Sequence, residues 1–312
     1  MEAKRTVGAM KYYAEGALSR PSPLTLGDLR RALVSGEILE SRALSFDSEK
    51  NLHFRIDDTD AVMPYEECAD GVREGTVREI ALITRVGRPV CFVVTAIEEE
   101  TDGAPVIRLS RTEAQKRCRA EYLDALCPGD ILSCRVTHLE RFGAFCDVGC
   151  GIPALLPIDC MSVSRIQHPS DRVQEGQDIL CAVKGRDAQG RIVLTMKELL
   201  GTWQENAADF APGETVVGVV RSVESYGVFI ELAPNLAGLA EASPALSPGQ
   251  LVSVYIKSIL PEKMKIKLCV LHASTDRSFQ FPLNYRLRSG RIAHWVYSVP
   301  SAPRCMETWF EA

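Results

Sequence analysis

Short runs of alternating apolar and polar residues recur along the chain, and most are bounded by glycine or proline. This pattern is typical of β-strands with one buried and one exposed face. Between residues 128 and 200 it predicts strands at 131–138, 145–148, 154–156, 179–184 and 191–195. Between 212 and 270 it predicts strands at 215–223, 228–232, 239–240, 251–256 and 265–270. Each stretch is therefore expected to form a small all-β domain.

The two stretches are copies of one repeat. Pro-Gly-Asp at 128–130 recurs as Pro-Gly-Glu at 212–214, and Phe-Gly-Ala-Phe at 142–145 recurs as Tyr-Gly-Val-Phe at 226–229. Both matches have the same offset and the same order, which indicates a duplicated unit. Five short strands that close on themselves fit a barrel of the OB type, so we predict a mainly β fold.

A third, diverged copy precedes these two. Ala-Val-Met-Pro at 61–64 matches Ala-Leu-Leu-Pro at 154–157, and the apolar run 90–94 matches the predicted strand at 179–183. We therefore predict three tandem five-stranded OB-fold barrels, the first of them diverged, joined by short helices.

The segments outside the barrels carry helix and linker signals. Thr25 and Asp28 fit a capping box, helices are predicted over 111–126 and 198–210, and the proline-containing stretch 18–25 is expected to be a linker. The predicted organisation is an N-terminal helical segment (1–35), an acidic diverged barrel (36–110), a linker helix (111–127), a barrel (128–197), a second linker helix (198–211), a barrel (212–270) and an aromatic extension (271–312).

Composition and charge narrow the function classes. The 312 residues are 46% hydrophobic and 25% charged, which excludes a largely disordered chain. No apolar run reaches the ~18 residues of a membrane span, and the first residues lack a secretory signal, so we expect a cytoplasmic protein without a membrane partner. The net charge is −5, but residues 36–110 alone carry −8. The first copy would therefore repel a phosphate backbone, whereas the other two could carry local basic grooves.

The 11 cysteines are odd in number, scattered and free of any C-x-x-C pair. This spacing favours reduced thiols buried as small apolar residues and argues against a disulfide framework or a zinc site. We expect neither a metal nor another cofactor, and since no motif for catalysis stands out, we do not expect an enzyme.

Two aromatic pairs are the candidate base-binding residues. Phe142 and Phe145 flank Gly143, and Tyr226 and Phe229 repeat the arrangement; the glycine would permit a bulge that brings both rings to one barrel face. Such rings can stack on unpaired bases. Phe145 and Phe229 could equally be core residues, because barrels need large apolar fillers.

Polar side chains near the end of each repeat are the candidate phosphate-binding residues. In the second copy these are Lys184, Asp187 and Arg191; in the third they are Lys257, Lys263 and Lys265. Alternation along a strand would place Lys263 and Lys265 on one side together with Lys267. The alternative is an ordinary solvated charged face with a plain Asp–Arg surface turn.

Residues 128–200 and 212–270 resemble the RNA-binding domain of small-subunit ribosomal protein S1, on the order of five landmarks from Pro-Gly-Asp/Glu to the last strand. The whole chain is similar to the short three-repeat members of Gram-positive anaerobes. The resemblance implies RNA binding by two aromatics, a histidine, an aspartate and an arginine on the barrel face. Phe142, Phe145, Asp187 and Arg191 match in the second copy, where Pro157 replaces the histidine. In the third copy Tyr226 and Phe229 match, while Ala240, Pro261 and Lys265 replace the histidine, aspartate and arginine.

The resemblance implies a protein that binds single-stranded messenger RNA in translation on the small ribosomal subunit. The acidic first copy would contact the ribosome, as leading repeats do in larger members of the family. Two alternatives stay open: an RNA-binding accessory module of an RNA-processing or transcription machine, and a protein-interaction scaffold whose barrels no longer bind RNA.

The C-terminal extension has two interpretations. Trp295, Tyr297 and Trp309 could cap the third barrel; alternatively, three arginines could extend an RNA groove. Those arginines are Arg286, Arg288 and Arg291. The cap is the favoured interpretation.

Overall fold

The computed structural model describes residues 12–17, 23–99, 105–276, 278–302 and 304–311. The chain divides into two compact units, one of residues 1–126 with 147–153 and the other of residues 127–146 with 154–312. Its strands form three closed five-stranded barrels, which confirms the predicted mainly β fold and its three repeats. Much of the predicted linker, residues 18–22, lies outside the described residues.

The first barrel has the strand order β1-β2-β3-β5-β4. Its strands are β1 (Leu39–Phe46), β2 (Leu52–Ile56), β3 (Thr59–Met63), β4 (Pro89–Glu99) and β5 (Pro105–Ser110). Helix α1 (Leu26–Ser35) precedes it, and helix α2 (Glu79–Ile83) lies between β3 and β4. The capping box predicted for α1 is present, because the Asp28 backbone N–H donates to Thr25 Oγ1 and the Thr25 N–H donates to Asp28. The alternating apolar residues Leu52, Phe54 and Ile56 fill the barrel interior.

Helix α3 (Arg111–Glu121) follows the first barrel and is shorter than predicted. Ser110 caps its start by accepting a hydrogen bond from the Glu113 N–H at 2.9 Å. At Tyr122 the backbone leaves the helical region, with φ −130° and ψ −63°, and a 3-10 turn over Leu123–Ala125 completes the segment.

The second barrel has the strand order β10-β8-β7-β6-β9. Its strands are β6 (Ile131–Glu140), β7 (Gly143–Asp147), β8 (Pro153–Pro157), β9 (Asp178–Arg186) and β10 (Ile192–Thr195). Cys134, Cys146 and Cys181 are among its buried residues, and eight of the 11 cysteines are buried in all, as predicted.

The segment between the second and third barrels is not the single helix predicted for 198–210. It consists of a 3-10 turn (Lys197–Leu200) and the short helix α4 (Trp203–Ala207), separated at Gly201, which has φ +86°. The amide of Asn235 donates to the carbonyl oxygens of Lys197 and Gly201, at 2.7 and 2.8 Å. A side chain from the third barrel therefore holds the break in place.

The third barrel has the strand order β11-β12-β13-β15-β14. Its strands are β11 (Thr215–Glu224), β12 (Gly227–Ala233), β13 (Leu236–Ala240), β14 (Leu251–Leu260) and β15 (Lys265–Ala273). All three closed barrels share this cyclic order, because in each the third strand pairs in parallel with the fifth.

A buried ion-pair cluster joins the second and third barrels within their shared unit. Arg172 donates to Glu231 Oε1 at 2.6 Å, and the side chains of both residues are fully buried. Arg221 donates from Nε to Glu231 Oε2 at 2.6 Å and also lies 3.4 Å from Asp171. Charges without solvent contact need close partners, so this cluster fixes the two barrels to each other.

The extension ends in a two-stranded hairpin of β16 (His294–Val296) and β17 (Glu307–Trp309). Trp295, Tyr297 and Phe310 are buried in the apolar cluster that contains the core of the third barrel. The cap interpretation is thus correct for Trp295 and Tyr297. It is wrong for Trp309, which is exposed, because strand alternation turns Phe310 inward instead.

Two of the extension's arginines contact protein groups. Arg286 forms an ion pair with Asp209, and Arg291 donates to the Pro128 carbonyl oxygen at 3.0 Å. The groove interpretation stays a prediction.

Gly129 marks where the extension meets the second barrel. A Cβ at this position, where φ is +88°, would lie 1.9 Å from the Ile292 carbonyl oxygen; at Gly213, the equivalent glycine of the third barrel, φ is +93° and the space is open. We expect Gly213→Ala to cost about 1–2 kcal/mol of unfolding free energy through backbone strain alone. Gly129→Ala should cost roughly a further 1–3 kcal/mol, because it also displaces the extension. Urea unfolding of both variants measures the difference, and equal losses would contradict this role of Gly129.

Candidate nucleic-acid interface

The two predicted aromatic pairs lie on barrel surfaces in matching geometry. The ring centroids of Phe142 and Phe145 are 6.0 Å apart with an interplanar angle of 89°, and those of Tyr226 and Phe229 are 6.2 Å apart at 88°. Phe142 is 55% and Tyr226 67% exposed, whereas Phe145 and Phe229 are half-buried. In each pair the rings are perpendicular to each other, and the outer ring is the more exposed of the two. The alternative that the inner rings are core residues is therefore wrong.

The glycine inside each motif is required by close packing and not by a bulge of its own strand. A Cβ on Gly143 would lie 2.4 Å from the Leu156 carbonyl oxygen, and one on Gly227 would lie 2.7 Å from the Ala240 carbonyl oxygen. In the third barrel the register shift opposite the aromatic motif lies on the partner strand β11, between Val220 and Ser222. Strand β12 thus approaches β13 closely at the point where the rings leave the surface.

The strand register extends the aromatic surface across the third barrel. Phe229 pairs with Leu239 on β13, and Leu239 pairs with Lys267 on β15. All three side chains point outward, since their chain neighbours Ile230, Ala240 and Leu268 are buried. The second barrel has the corresponding parallel pair, Leu155 with Val193. The third barrel therefore has a cation in this row where the second barrel has Val193.

An open groove of about 670 Å³ runs beside Tyr226 and Phe229. Its basic lining residues are Lys257, Lys263, Lys265 and Lys267. Lys265 and Lys267 share the outer face of β15, as predicted. Lys263 does not share it by alternation, because it lies in a 3-10 turn over Pro261–Lys263 that ends at Met264 with φ +49°. The turn nevertheless brings Lys263 to the same groove.

One lysine of the groove has a carboxylate partner. Lys257 Nζ lies 2.8 Å from Glu241 Oε1. This hydrogen bond and the opposite charge raise the pKa of Lys257 and lower the pKa of Glu241. The groove therefore contains both signs of charge, and the other three lysines give it a net positive charge.

The predicted Asp187 and Arg191 of the second barrel form an ion pair in a turn. Arg191 Nε donates to Asp187 Oδ2 at 2.7 Å, and the backbone N–H groups of Gln189 and Arg191 donate to Asp187 Oδ1, both at 2.9 Å. Desolvation raises the pKa of Asp187, but these hydrogen bonds outweigh it and hold the pKa below its usual value. The Arg191 side chain is 66% exposed, so Asp187 orients the guanidinium without burying it.

Lys184 lies away from this turn, with Nζ 3.2 Å from Cys160 Sγ. It is an exposed residue of β9. In the residues that the structure describes, no group of three or more His, Cys, Asp or Glu side chains could hold a metal ion, and no helix is long and apolar enough to cross a membrane.

The part of the chain that matches a known protein family coincides with the second barrel. The family model of the S1 RNA binding domain matches residues 127–197, which contain the second barrel. Residues 127–197 are an S1 RNA binding domain.

Curated relatives of the chain are ribosomal proteins. The small ribosomal subunit protein bS1 homolog of Bacillus subtilis is 30% identical over 196 residues, and small ribosomal subunit protein bS1 of Staphylococcus aureus is 33% identical over 199 residues. The alignments cover 58% and 59% of this chain and 51% and 50% of the relatives. The chain thus spans about half the length of the relatives it matches.

One solved structure is similar over more of the chain. It is a multidomain protein with nucleic acid binding domains from Streptococcus pneumoniae, 13% identical, with a TM-score of 0.26. The similarity covers 76% of this chain and 73% of that one.

The register corrects one position of the S1 pattern. Aligning the pair Leu155–Val193 of the S1 domain with Leu239–Lys267 of the third barrel makes Pro157 equivalent to Glu241, not to Ala240. Ala240 is buried and points into the barrel. Glu241, the partner of Lys257, therefore occupies the place of the S1 histidine in the third barrel.

The register also reveals an equivalent position in the first barrel that the sequence motif did not show. His53 pairs with Ser45 and Val62 in the way that Phe229 pairs with Ser222 and Leu239. Only the spacing of the hairpin strands could have revealed this position in the sequence, because the residue there is histidine and not phenylalanine. An imidazole thus stands where the other barrels have the inner phenyl ring.

The cations around His53 already face carboxylates. His53 Nε2 lies 2.7 Å from Asp47, and hydrogen bonds from His53 and Asn51 lower the pKa of Asp47 to about 2. Lys50 contacts Glu79 at 2.8 Å. Arg108, on β5, lies 3.9 Å from Glu98. This face is chemically distinct from the groove of the third barrel.

Proposed function

We propose that this chain binds single-stranded RNA through the second and third barrels and holds messenger RNA during translation on the small ribosomal subunit. The observation that carries the proposal is the repeated pair of perpendicular aromatic rings with an exposed outer ring, on an S1 domain and on its neighbour, where lysines line the groove beside the pair. The proposed role is binding and not catalysis.

Base stacking is the first part of the mechanism. Phe142 and Tyr226 offer an open ring face to an unpaired base, and the T-shaped contact with Phe145 or Phe229 keeps that face in one orientation. Stacking contributes about 1–3 kcal/mol per base and does not depend on base identity. The mechanism favours single strands, because bases in a duplex already stack on each other.

Phosphate contacts are the second part. In the second barrel the phosphates contact Lys184 and Arg191, which Asp187 orients. In the third barrel they contact Lys257, Lys263 and Lys265. The register adds Lys267, which lies in the row of Phe229. Lys257 must share its charge with Glu241, so it should contribute less than Lys265.

The ribosomal part of the proposal is supported by the relatives named small ribosomal subunit protein bS1. The first barrel would serve as a protein-docking domain: residues 36–110 carry a net charge of −8, and the cations on its equivalent face are ion-paired. A role in translation places the chain in the cytoplasm.

A fluorescence anisotropy titration tests the RNA proposal. We expect an unstructured RNA of about a dozen nucleotides to bind more tightly than the corresponding duplex. If all six proposed cations neutralise a phosphate, the slope of log K against log salt should be roughly −4, since each contributes about −0.7. Lys265→Ala should reduce the slope by about 0.7, whereas Lys116→Ala, on helix α3, should leave it unchanged. An affinity that does not vary with salt would contradict the phosphate contacts.

Sedimentation with purified small ribosomal subunits separates the ribosomal role from that of an accessory RNA-binding module. Cosedimentation that survives loss of RNA binding would support docking through the first barrel. RNA binding without any cosedimentation would favour the accessory role.

A further inference from the structure

The extension presents one tryptophan to solvent. Of the chain's three tryptophans, Trp203 and Trp295 are 3% and 6% exposed, whereas Trp309 is 60% exposed. Exposing a large aromatic ring forgoes the gain of burying it, and such rings are enriched where a partner covers them. The strand alternation that turns Trp309 outward therefore calls for a functional explanation.

The support beneath Trp309 is fixed. The hairpin pairs His294 with Trp309 and Trp295 with Thr308, so that Trp295 and Thr308 face inward. Trp295 and the adjoining Phe310 are buried in the apolar cluster, and Thr308 Oγ1 donates to the buried Glu198 at 2.9 Å. The exposed ring thus stands on a packed surface.

The indole is also held in one orientation. Its ring stacks on the His294 imidazole with 3.6 Å between centroids and an interplanar angle of 10°. His294 Nε2 lies 2.8 Å from Glu307, and hydrogen bonds from His294 and Trp309 lower the pKa of Glu307. Two flat rings at this spacing resemble two stacked bases, and the exposed indole is available to a third ring.

The extension that carries this ring is joined to the second barrel. The Ile292 N–H donates to the Gly129 carbonyl oxygen at 2.9 Å, and the exposed Arg291 side chain donates to the Pro128 carbonyl oxygen at 3.0 Å. Glu307, on the hairpin, and Glu311, which follows it, are carboxylates, so the site suits an uncharged base.

We propose that Trp309 is a third base-stacking platform, on which an unpaired nucleobase of the bound RNA stacks against the His294–Trp309 pair. The proposal rests on the proposed RNA-binding function and extends the RNA contact from the barrels to the C-terminal extension. It commits to a nucleobase because the ring is planar, held in one orientation by His294 and part of the unit that holds both aromatic pairs.

Tryptophan emission tests this site in the full chain, because the other two tryptophans are buried. Titration with an oligouridine of about twelve nucleotides should quench the Trp309 emission in step with the anisotropy of labelled RNA. Trp309→Ala should lower the affinity by roughly five- to a hundredfold. Trp309→Phe should keep most of the affinity but lose the quenching. Leu287→Ala, another exposed apolar residue of the extension, is the matched control and should change neither signal.

The outcomes separate this proposal from the RNA-binding function itself. If the wild-type chain binds the oligouridine without quenching, and Trp309→Ala binds equally well, the third platform is wrong while RNA binding stands. If the folded wild-type chain binds no RNA, both proposals fail. Should Trp309→Ala unfold, Trp309→Phe and the wild-type quenching still decide the question.

Discussion

A chain that carries Phe142→Ala together with Tyr226→Ala is expected to lose most of its affinity for single-stranded RNA. Each substitution removes an exposed ring face and leaves its barrel core intact, since neither ring belongs to the buried set. At about 1–3 kcal/mol per stacked base, each single change should weaken binding by roughly five- to a hundredfold, and the double change by the product if the sites are independent. Fluorescence anisotropy with an unstructured RNA measures the loss.

The matched control is a substitution of exposed apolar residues outside the aromatic pairs. Val217 and Leu271 are both exposed on the third barrel, and their replacement by alanine should leave affinity within about twofold. Circular dichroism should show unchanged folding in all variants. Undiminished RNA binding by the double aromatic variant would remove the stacking mechanism.

The second large effect is expected from Glu231→Gln, which keeps the shape of the side chain and removes its charge. Arg172 and Arg221 would then share a buried site without the carboxylate that both contact. Arg172 depends most on this partner, because burial lowers its pKa and its NH1 atom already lacks a hydrogen-bond partner among the described residues. Breaking such a pair costs about 3–5 kcal/mol, which urea unfolding should detect.

Asp178→Asn provides the comparison for this variant. Asp178 forms a bidentate ion pair with Arg135 at 2.7 and 2.8 Å, but at an exposed position. Its loss should cost about 0–1 kcal/mol, because solvent screens the pair. Similar losses for the two variants would mean that burial adds nothing to the Arg172–Glu231 contact.

Much of the fold could be predicted from the sequence because the barrels depend on local patterns. Alternating apolar residues, separated by glycine and proline, determine the strand positions. The repeated set of five strands then indicated that each copy closes into a barrel. The predicted helix at 198–210 failed because a distant amide, from Asn235, stabilises a break at Gly201. A sequence window contains no information about such a contact.

The candidate site was predictable in its aromatic rings and less so in its charges. The rings sit in a motif of fixed length, and their exposure follows from the tight packing of Gly143 and Gly227. Ala240 was wrongly matched to the S1 histidine because a shift of one residue along a strand moves a side chain from one face of the sheet to the other. Lys263, in turn, reaches the groove through a 3-10 turn that alternation does not describe.

The ordered connection between the second and third barrels has a consequence for the length of RNA that they can hold. Two sites on a flexible tether raise each other's effective concentration over a range of separations. Here Asn235 clamps the connection and the Arg172–Glu231 pair locks the barrels, so the second site is held at one separation from the first. A strand long enough to bridge that gap gains the benefit of both sites, and a shorter strand gains from one alone. The pair of barrels thus acts as a molecular ruler.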